Sequence, residues 1–261
     1  MVTRVIGYLM FLFRARGLKG HGIHSPFVFH RVLGVLRSAR ARDDDEKFIV
    51  FRRWLFADKR TFRTDDKGAG SGTKSWKGRR VSAFARSASI RPKHARLLAA
   101  LVREFSCRNI IELGTGTGLS AAGMALADPQ ARVITIEGSD DLVLMARENF
   151  ERWQFPNITV IRGWFDDLLP GVMDEMDSVD LAFIDGNHRK EATEKYVRLI
   201  MAKAHENTVI AIHDIHASRG MTKAWAALRS DERVSLSVDL FHMGLLFFKT
   251  NIARQEFVIK Y

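Results

Sequence analysis

The rhythm of apolar positions changes near residue 108. From there, short β-branched runs alternate with helically spaced ones: NIIEL (109–113), then a helix from Ser120; ARVITIE (131–137), then LVLMARENFERW; ITVIR (158–162). VDLAFID (179–185) and a helix over 190–204 follow, then TVIAIHD (208–214) and a helix over 219–230. Continuous apolar runs of this length suit strands buried on both faces, and their alternation with helices predicts a parallel sheet covered on both sides. The last two runs, SLSVDL (235–240) and LLFFK (245–249), are separated only by Phe241-His242-Met243-Gly244. So short a link cannot make a parallel crossover, and the pair is expected to be antiparallel. The expected fold is a doubly wound α/β sheet of seven strands, five of them parallel, closed by a terminal antiparallel hairpin.

Before residue 108 the spacing is helical. Residues 2–16 form an amphipathic segment, and Ser25-Pro26 offers a cap and a first-turn proline to FVFHRVLGVLRS. Asp43, Asp44, Asp45 and Glu46 precede KFIVFRRWLF, with Lys59 and Arg60 beyond it, a polarity that complements the helix dipole. Pro92 starts another helix, KHARLLAALVREF. Residues 64–80, rich in glycine and basic side chains, are expected to be a mobile loop, and such segments often gate active sites. The chain is thus expected to divide into a helical N-terminal extension, 1–87, and a ligand-binding domain, 88–261.

Between the first strand and its helix lies Glu112-Leu113-Gly114-Thr115-Gly116-Thr117-Gly118. Glycines there let the backbone approach a ligand, and in a doubly wound sheet ligands bind at the carboxyl ends of strands. The spacing is G-x-G-x-G; Leu119 stands where the dinucleotide fingerprint needs its third glycine. Glu137 ends the second strand, where a carboxylate can accept ribose hydroxyls.

With these features together, the chain resembles the class I S-adenosylmethionine-dependent methyltransferases, which have a Rossmann-like sheet. The run from Glu112 to Ser120 is similar to the cofactor loop of the catechol-type, metal-dependent O-methyltransferases, and the likeness extends over roughly residues 90–250. It implies that Ser120 holds the methionine carboxylate and that Glu137, with Gly138 beside it, holds the ribose. It also implies that the residues after Gly163, Trp164 and Phe165, flank the adenine, though Trp164 could equally belong to the core. In the catechol-type enzymes the fourth strand ends in a Mg²⁺ ligand followed by a basic lysine, and the fifth ends in Asp-Asn. Here those places hold Asp185, His188 and the pair His213-Asp214. An Asp-Gly-x-His element is also similar to that of the sugar and macrolide O-methyltransferases, where the histidine is the base.

The resemblance therefore implies His188 and Asp185 as catalytic residues and Asp185, Asp214 and His213 as ligands of Mg²⁺ or another divalent metal. Carboxylates suit Mg²⁺, whereas an imidazole favours softer ions. Other roles stay open: Asp185 as a partner of the cofactor's amino group, His188 as the lead into the next helix, and His216 as a loop or cap residue. His21 and His24 have H-x-x-H spacing but no acids nearby. An N-methyltransferase acting on amides or exocyclic amines usually carries Asn/Asp-Pro-Pro-Tyr after the fourth strand; Asp185-Gly186-Asn187-His188 favours an oxygen acceptor.

Composition adds a question of partners. Residues 1–107 carry 24 Lys+Arg against 8 Asp+Glu, and the remainder 17 against 22. A basic extension on an acidic body suggests an anionic partner: substrate, RNA or a membrane surface touched through residues 2–16. The aromatics at 48, 51, 54 and 56 are spaced more like a core face than a base-stacking platform. The single cysteine, Cys107, rules out an intrachain disulfide, and a cytoplasmic homo-oligomer acting on a small-molecule acceptor is expected. The longest N-terminal apolar run, 5–13, is too short to span a bilayer and is followed by arginines rather than a cleavage motif.

Overall fold

A computed structural model describes residues 2–20, 24–41, 45–62 and 78–261. Along the chain, α1 (Val2–Arg14), a π-helical turn (Val28–Val32) running into α2 (Leu33–Ala41), and α3 (Glu46–Ala57) come first. An antiparallel ribbon of β1 (Thr61–Phe62) and β2 (Arg79–Arg80) follows, then α4 (Val81–Ala88) and α5 (Pro92–Phe105). The alternation then runs β3 (Asn109–Leu113), α6 (Leu119–Ala127), β4 (Arg132–Glu137), α7 (Asp140–Arg152), β5 (Ile158–Arg162), α8 (Phe165–Glu175). It continues through β6 (Val179–Ile184), α9 (Lys190–Met201), β7 (Ala204–His213), α10 (Arg219–Arg229), β8 (Leu236–Asp239), β9 (Met243–Phe247) and β10 (Gln255–Val258).

Local signals set several of these boundaries. The Asp45 carboxylate accepts the Phe48 N–H at 3.2 Å and caps α3, and Pro92 stands in the first turn of α5. Ser106 ends α5 in the left-handed region, at φ 52°. Ser25 makes only a long contact with the Val28 N–H, 3.5 Å, and the helix there opens as a π turn.

The main sheet has the order β10-β8-β9-β7-β6-β3-β4-β5. All neighbours are parallel except around β9, which runs against both β7 and β8. The hairpin β8–β9 is present as expected, with β9 inserted between β7 and β8. The expected count of seven strands is corrected to eight. The added strand, β10, carries only four residues of mixed polarity and pairs in parallel with β8 at the sheet edge. Half-buried and short, it has no periodic pattern of its own; the exposed edge of β8 makes it a strand.

Successive side chains leave the sheet on opposite faces, which sorts the apolar runs into two cores. Ile110, Val133, Leu181, Phe183 and Val209 pack with α2, α3, α4, α5, α6 and α7. Ile111, Ile134, Ala182, Ile184 and Ile210 pack with α8, α9 and α10. Helices from before residue 88 therefore share the first core with the sheet. Phe51 of α3 is fully buried against Trp153 and Phe155, with ring centroids 5.6 and 5.5 Å away. Arg60 reinforces the same junction, donating to Asp58 and Asn149 at 2.7 Å and to Glu148 at 2.6 Å.

Among the described residues no helix is long and apolar enough to cross a membrane. Residues 64–77 of the glycine-rich segment expected to form a lid, together with His21, lie outside the described residues. The Phe51 junction yields a stability test. Phe51→Ala is expected to cost about 3–5 kcal/mol, because a ring is removed from a site that its neighbours cannot close; urea unfolding followed by circular dichroism measures it.

Candidate active site

The loop after β3 is shaped by close approach. Gly114 has φ +102° and donates its N–H to the Ile136 carbonyl at 3.0 Å; a Cβ there would lie 2.7 Å from the Asp185 carbonyl oxygen. Gly118 caps α6 at φ +83°, where a Cβ would fall 2.5 Å from the Phe150 ring. Both positions demand glycine on backbone and steric grounds. The loop leads directly into the N-terminus of α6, whose first amides lack helical partners and face the loop as anion donors. Ser120 sits in that first turn, nearly buried.

Two carboxylates flank the loop. Glu137 accepts the Gly116 N–H through Oε2 and the Ser139 N–H through Oε1, both at 3.0 Å, which pins its head at the loop's rim. Glu112 is fully buried. The Thr135 hydroxyl donates to its Oε2 at 2.6 Å, while its Oε1 has no hydrogen-bond partner. Burial pushes its carboxyl up to about 8, only partly offset by the Ser120 and Thr135 hydroxyls. Thr115 joins the same network, its hydroxyl 2.7 Å from that of Thr135.

On the far side, aromatic rings lie close against glycines. Trp164 stays 41% exposed while its ring covers Gly138, where a Cβ would approach to 2.5 Å. Phe165 covers Gly186 in the same way, at 2.7 Å, and meets the Tyr196 ring edge-on at 5.6 Å. Gly163, at φ +150°, turns β5 into this aromatic pair.

The ends of β6 and β7 bring the acid and imidazoles together. Asp185 Oδ1 lies 2.8 Å from His213 Nδ1 and 3.7 Å from His188 Nε2. Asp185 thus stands between two histidines. Burial disfavours the charged form of His213, yet Asp185 outweighs it and holds the imidazole above its ordinary value. Asp214, at φ +54°, donates its N–H to the His242 carbonyl at 2.6 Å, with its carboxylate 4.0 Å from His242 Nδ1. His216 takes the loop role, pairing with Asp239 at 2.8 Å.

Two histidines enter without warning from the sequence. His94 on α5 is buried, with neither ring nitrogen hydrogen-bonded, and its ring lies 5.5 Å from His213 and 6.1 Å from His242. Burial above all, then the neighbouring His213, pushes its imidazole down to about 3. On sequence alone His94 falls within an apolar helix, and His242 lies in a turn between strands; neither position carries a metal or catalytic spacing.

The residues fit an adenosyl sulfonium cofactor. A buried carboxyl group with an orphaned oxygen can accept from a donor or face a cation, and a partly exposed indole beside Gly138 offers apolar ring surface to a purine. Because the Asp185 carboxylate accepts, His213 Nδ1 faces it as a hydrogen-bond donor. Among the described residues no group of three or more His, Cys, Asp or Glu side chains is placed to hold a metal ion.

The chain is similar to known proteins in sequence and in fold. Residues 111–215 match the family described as Methyltransferase domain. The chain is 29% identical over 130 residues to a catechol O-methyltransferase of Niastella koreensis, covering 49% of this chain and 58% of that one. It is 37% identical over 71 residues to a protein-L-isoaspartate O-methyltransferase of Methanococcoides burtonii, covering 27% and 35%. The chain spans about half the length of the curated relatives it matches. Among solved structures, an O-methyltransferase from Bacillus cereus in complex with SAH aligns with a TM-score of 0.59 at 20% identity, over 80% of this chain and 94% of that one. The fold is that of the class I S-adenosylmethionine-dependent methyltransferases.

His94 makes the fold acid-sensitive. Its folded value lies below the unfolded one, so stability is lost as pH falls below about 6.5. His213 works in the opposite sense: its contribution is complete below the unfolded value and is lost as pH rises through the folded one. His94→Leu is expected to shrink the loss of stability between neutral pH and about pH 5 by roughly 2 kcal/mol, read from urea unfolding at the two pH values.

Proposed function

We propose, from the premise that residues 111–215 form a methyltransferase domain, that the chain methylates an oxygen of a small hydroxylated acceptor. The observation that carries this reading is the row His188–Asp185–His213 beside the glycine loop. S-adenosylmethionine, when bound, supplies a methyl group on a positively charged sulfur, open to in-line displacement by the acceptor oxygen.

The chain's own residues provide the binding and the proton path. The amides at the start of α6 and the Ser120 hydroxyl receive the methionine carboxylate, which the helix dipole favours. Glu137 accepts the ribose hydroxyls, and Trp164 and Phe165 enclose the adenine. Glu112 keeps a buried acceptor oxygen beneath the cationic part of the cofactor. Methyl transfer forms the oxygen–carbon bond as the carbon–sulfur bond breaks, and the acceptor's proton must leave. His188, the more exposed imidazole of the row, takes that proton, and Asp185 stabilises the resulting imidazolium. His213 fixes the Asp185 carboxylate from the buried side.

This division of labour separates binding from chemistry. Calorimetry with S-adenosylmethionine should show binding that Glu137→Ala weakens by about tenfold or more. His188→Ala should keep the cofactor affinity and lower kcat by about 10²–10⁴ on a catechol acceptor, followed by release of the demethylated cofactor. Absence of cofactor binding would sink the reading, and full turnover by His188→Ala would remove His188 from it. Turnover abolished by EDTA and restored by Mg²⁺ would give Asp185 and Asp214 a ligand role instead.

A further inference from the structure

The outer face of α1 is apolar and uncovered. Leu9, Met10 and Phe13 are 51%, 60% and 90% exposed, and their i, i+3 and i, i+4 spacing puts them on one side of the helix. The opposite side is anchored: Tyr8 and Phe11 pack on Phe241, with ring centroids 4.8 and 5.3 Å away. The chain beyond α1 is tied to the sheet edge, where the Arg16 N–H donates to the Val258 carbonyl at 2.8 Å and the Lys260 N–H donates to the Arg16 carbonyl at 2.9 Å. The helix is therefore held in place while it presents three large apolar side chains outward.

The charge around this face selects its occupant. Arg14 and Lys19 are exposed at and beyond the end of α1, and residues 1–107 hold 24 basic against 8 acidic side chains. A second copy docked face to face, helix on helix, would bring these basic residues against their own counterparts. An anionic bilayer offers negative headgroups to the basic residues and an acyl boundary to Leu9, Met10 and Phe13. We infer that α1 is a docking helix that lays this face on an anionic lipid surface. The anchored side of α1 borders the candidate site: Phe241, which supports the helix, lies 5.0 Å ring to ring from His242 and 5.4 Å from His216.

Co-sedimentation of the full chain with vesicles tests this. Binding is expected to vesicles of phosphatidylglycerol and phosphatidylcholine in roughly equal parts, to weaken in high salt, and to be absent with phosphatidylcholine alone. Phe13→Glu and, as a milder variant, the pair Leu9→Ser with Met10→Ser should each reduce it by about tenfold or more, with an unchanged thermal midpoint. No binding to the anionic vesicles, or binding that both variants leave intact, overturns the inference. So does a dimer, seen by analytical ultracentrifugation, that Phe13→Glu converts to monomer, since the occupant would then be a second copy. Calorimetry with S-adenosylmethionine is independent of these outcomes and keeps failure of docking distinct from failure of the methyltransferase reading.

Discussion

The contact between Asp185 and His213 is the interaction around which the site is arranged. A carboxylate and an imidazole lie 2.8 Å apart, both mostly buried, and their contact offsets part of the cost of burying two polar groups. The pair fixes the end of β6 against the end of β7, and the Asp185 N–H, donating to the Leu113 carbonyl at 2.9 Å, fixes β6 against β3. Gly114 lies so close to the Asp185 carbonyl that the cofactor loop and the candidate base row share one backbone junction. A displacement of either strand end would therefore move binding residues and proton-handling residues together.

The helices before residue 88 are part of the same mechanical unit. Phe51, Trp153 and Phe155 form one aromatic cluster, and Arg60 ties the segment after α3 to α7 through Glu148 and Asn149. Since α7 also supplies Phe150, the ring that Gly118 must clear, packing in the N-terminal part bears on the start of the cofactor loop. Among the described residues of this part, Arg31, Arg40, Arg53 and Lys59 stay at the surface while its apolar face enters the core. Solvation and burial are divided along each amphipathic helix.

Much of the fold was legible because buried parallel strands require continuous apolar runs. NIIEL and ITVIR correspond to β3 and β5 at both ends, and the four-residue link after Leu240 correctly demanded an antiparallel partner. β10 was not legible, since a four-residue edge strand is made by its neighbour and not by its own pattern. α8 was obscured as well: it begins at Phe165, within a segment whose aromatic residues suggested ligand contact, and contains Pro170. The glycine loop, Glu137 and the acid–imidazole residues could be picked out because each combines a chemical group with a strand-end position.

By itself, the sequence determined the alternation of strands and helices, the glycine loop, the carboxylates beside it and the basic bias of the first 107 residues. These depend on local spacing and residue type, which a linear pattern carries. Only the tertiary structure decided that His213 faces Asp185 as a hydrogen-bond donor, that His94 is buried beside it without a partner, and that Glu112 keeps one oxygen unpaired. It also decided which side of α1 packs on Phe241 and which side is left bare. Protonation, orientation and exposure are set by neighbours distant in the chain, so burial and partner geometry had to be known before those residues could be given roles.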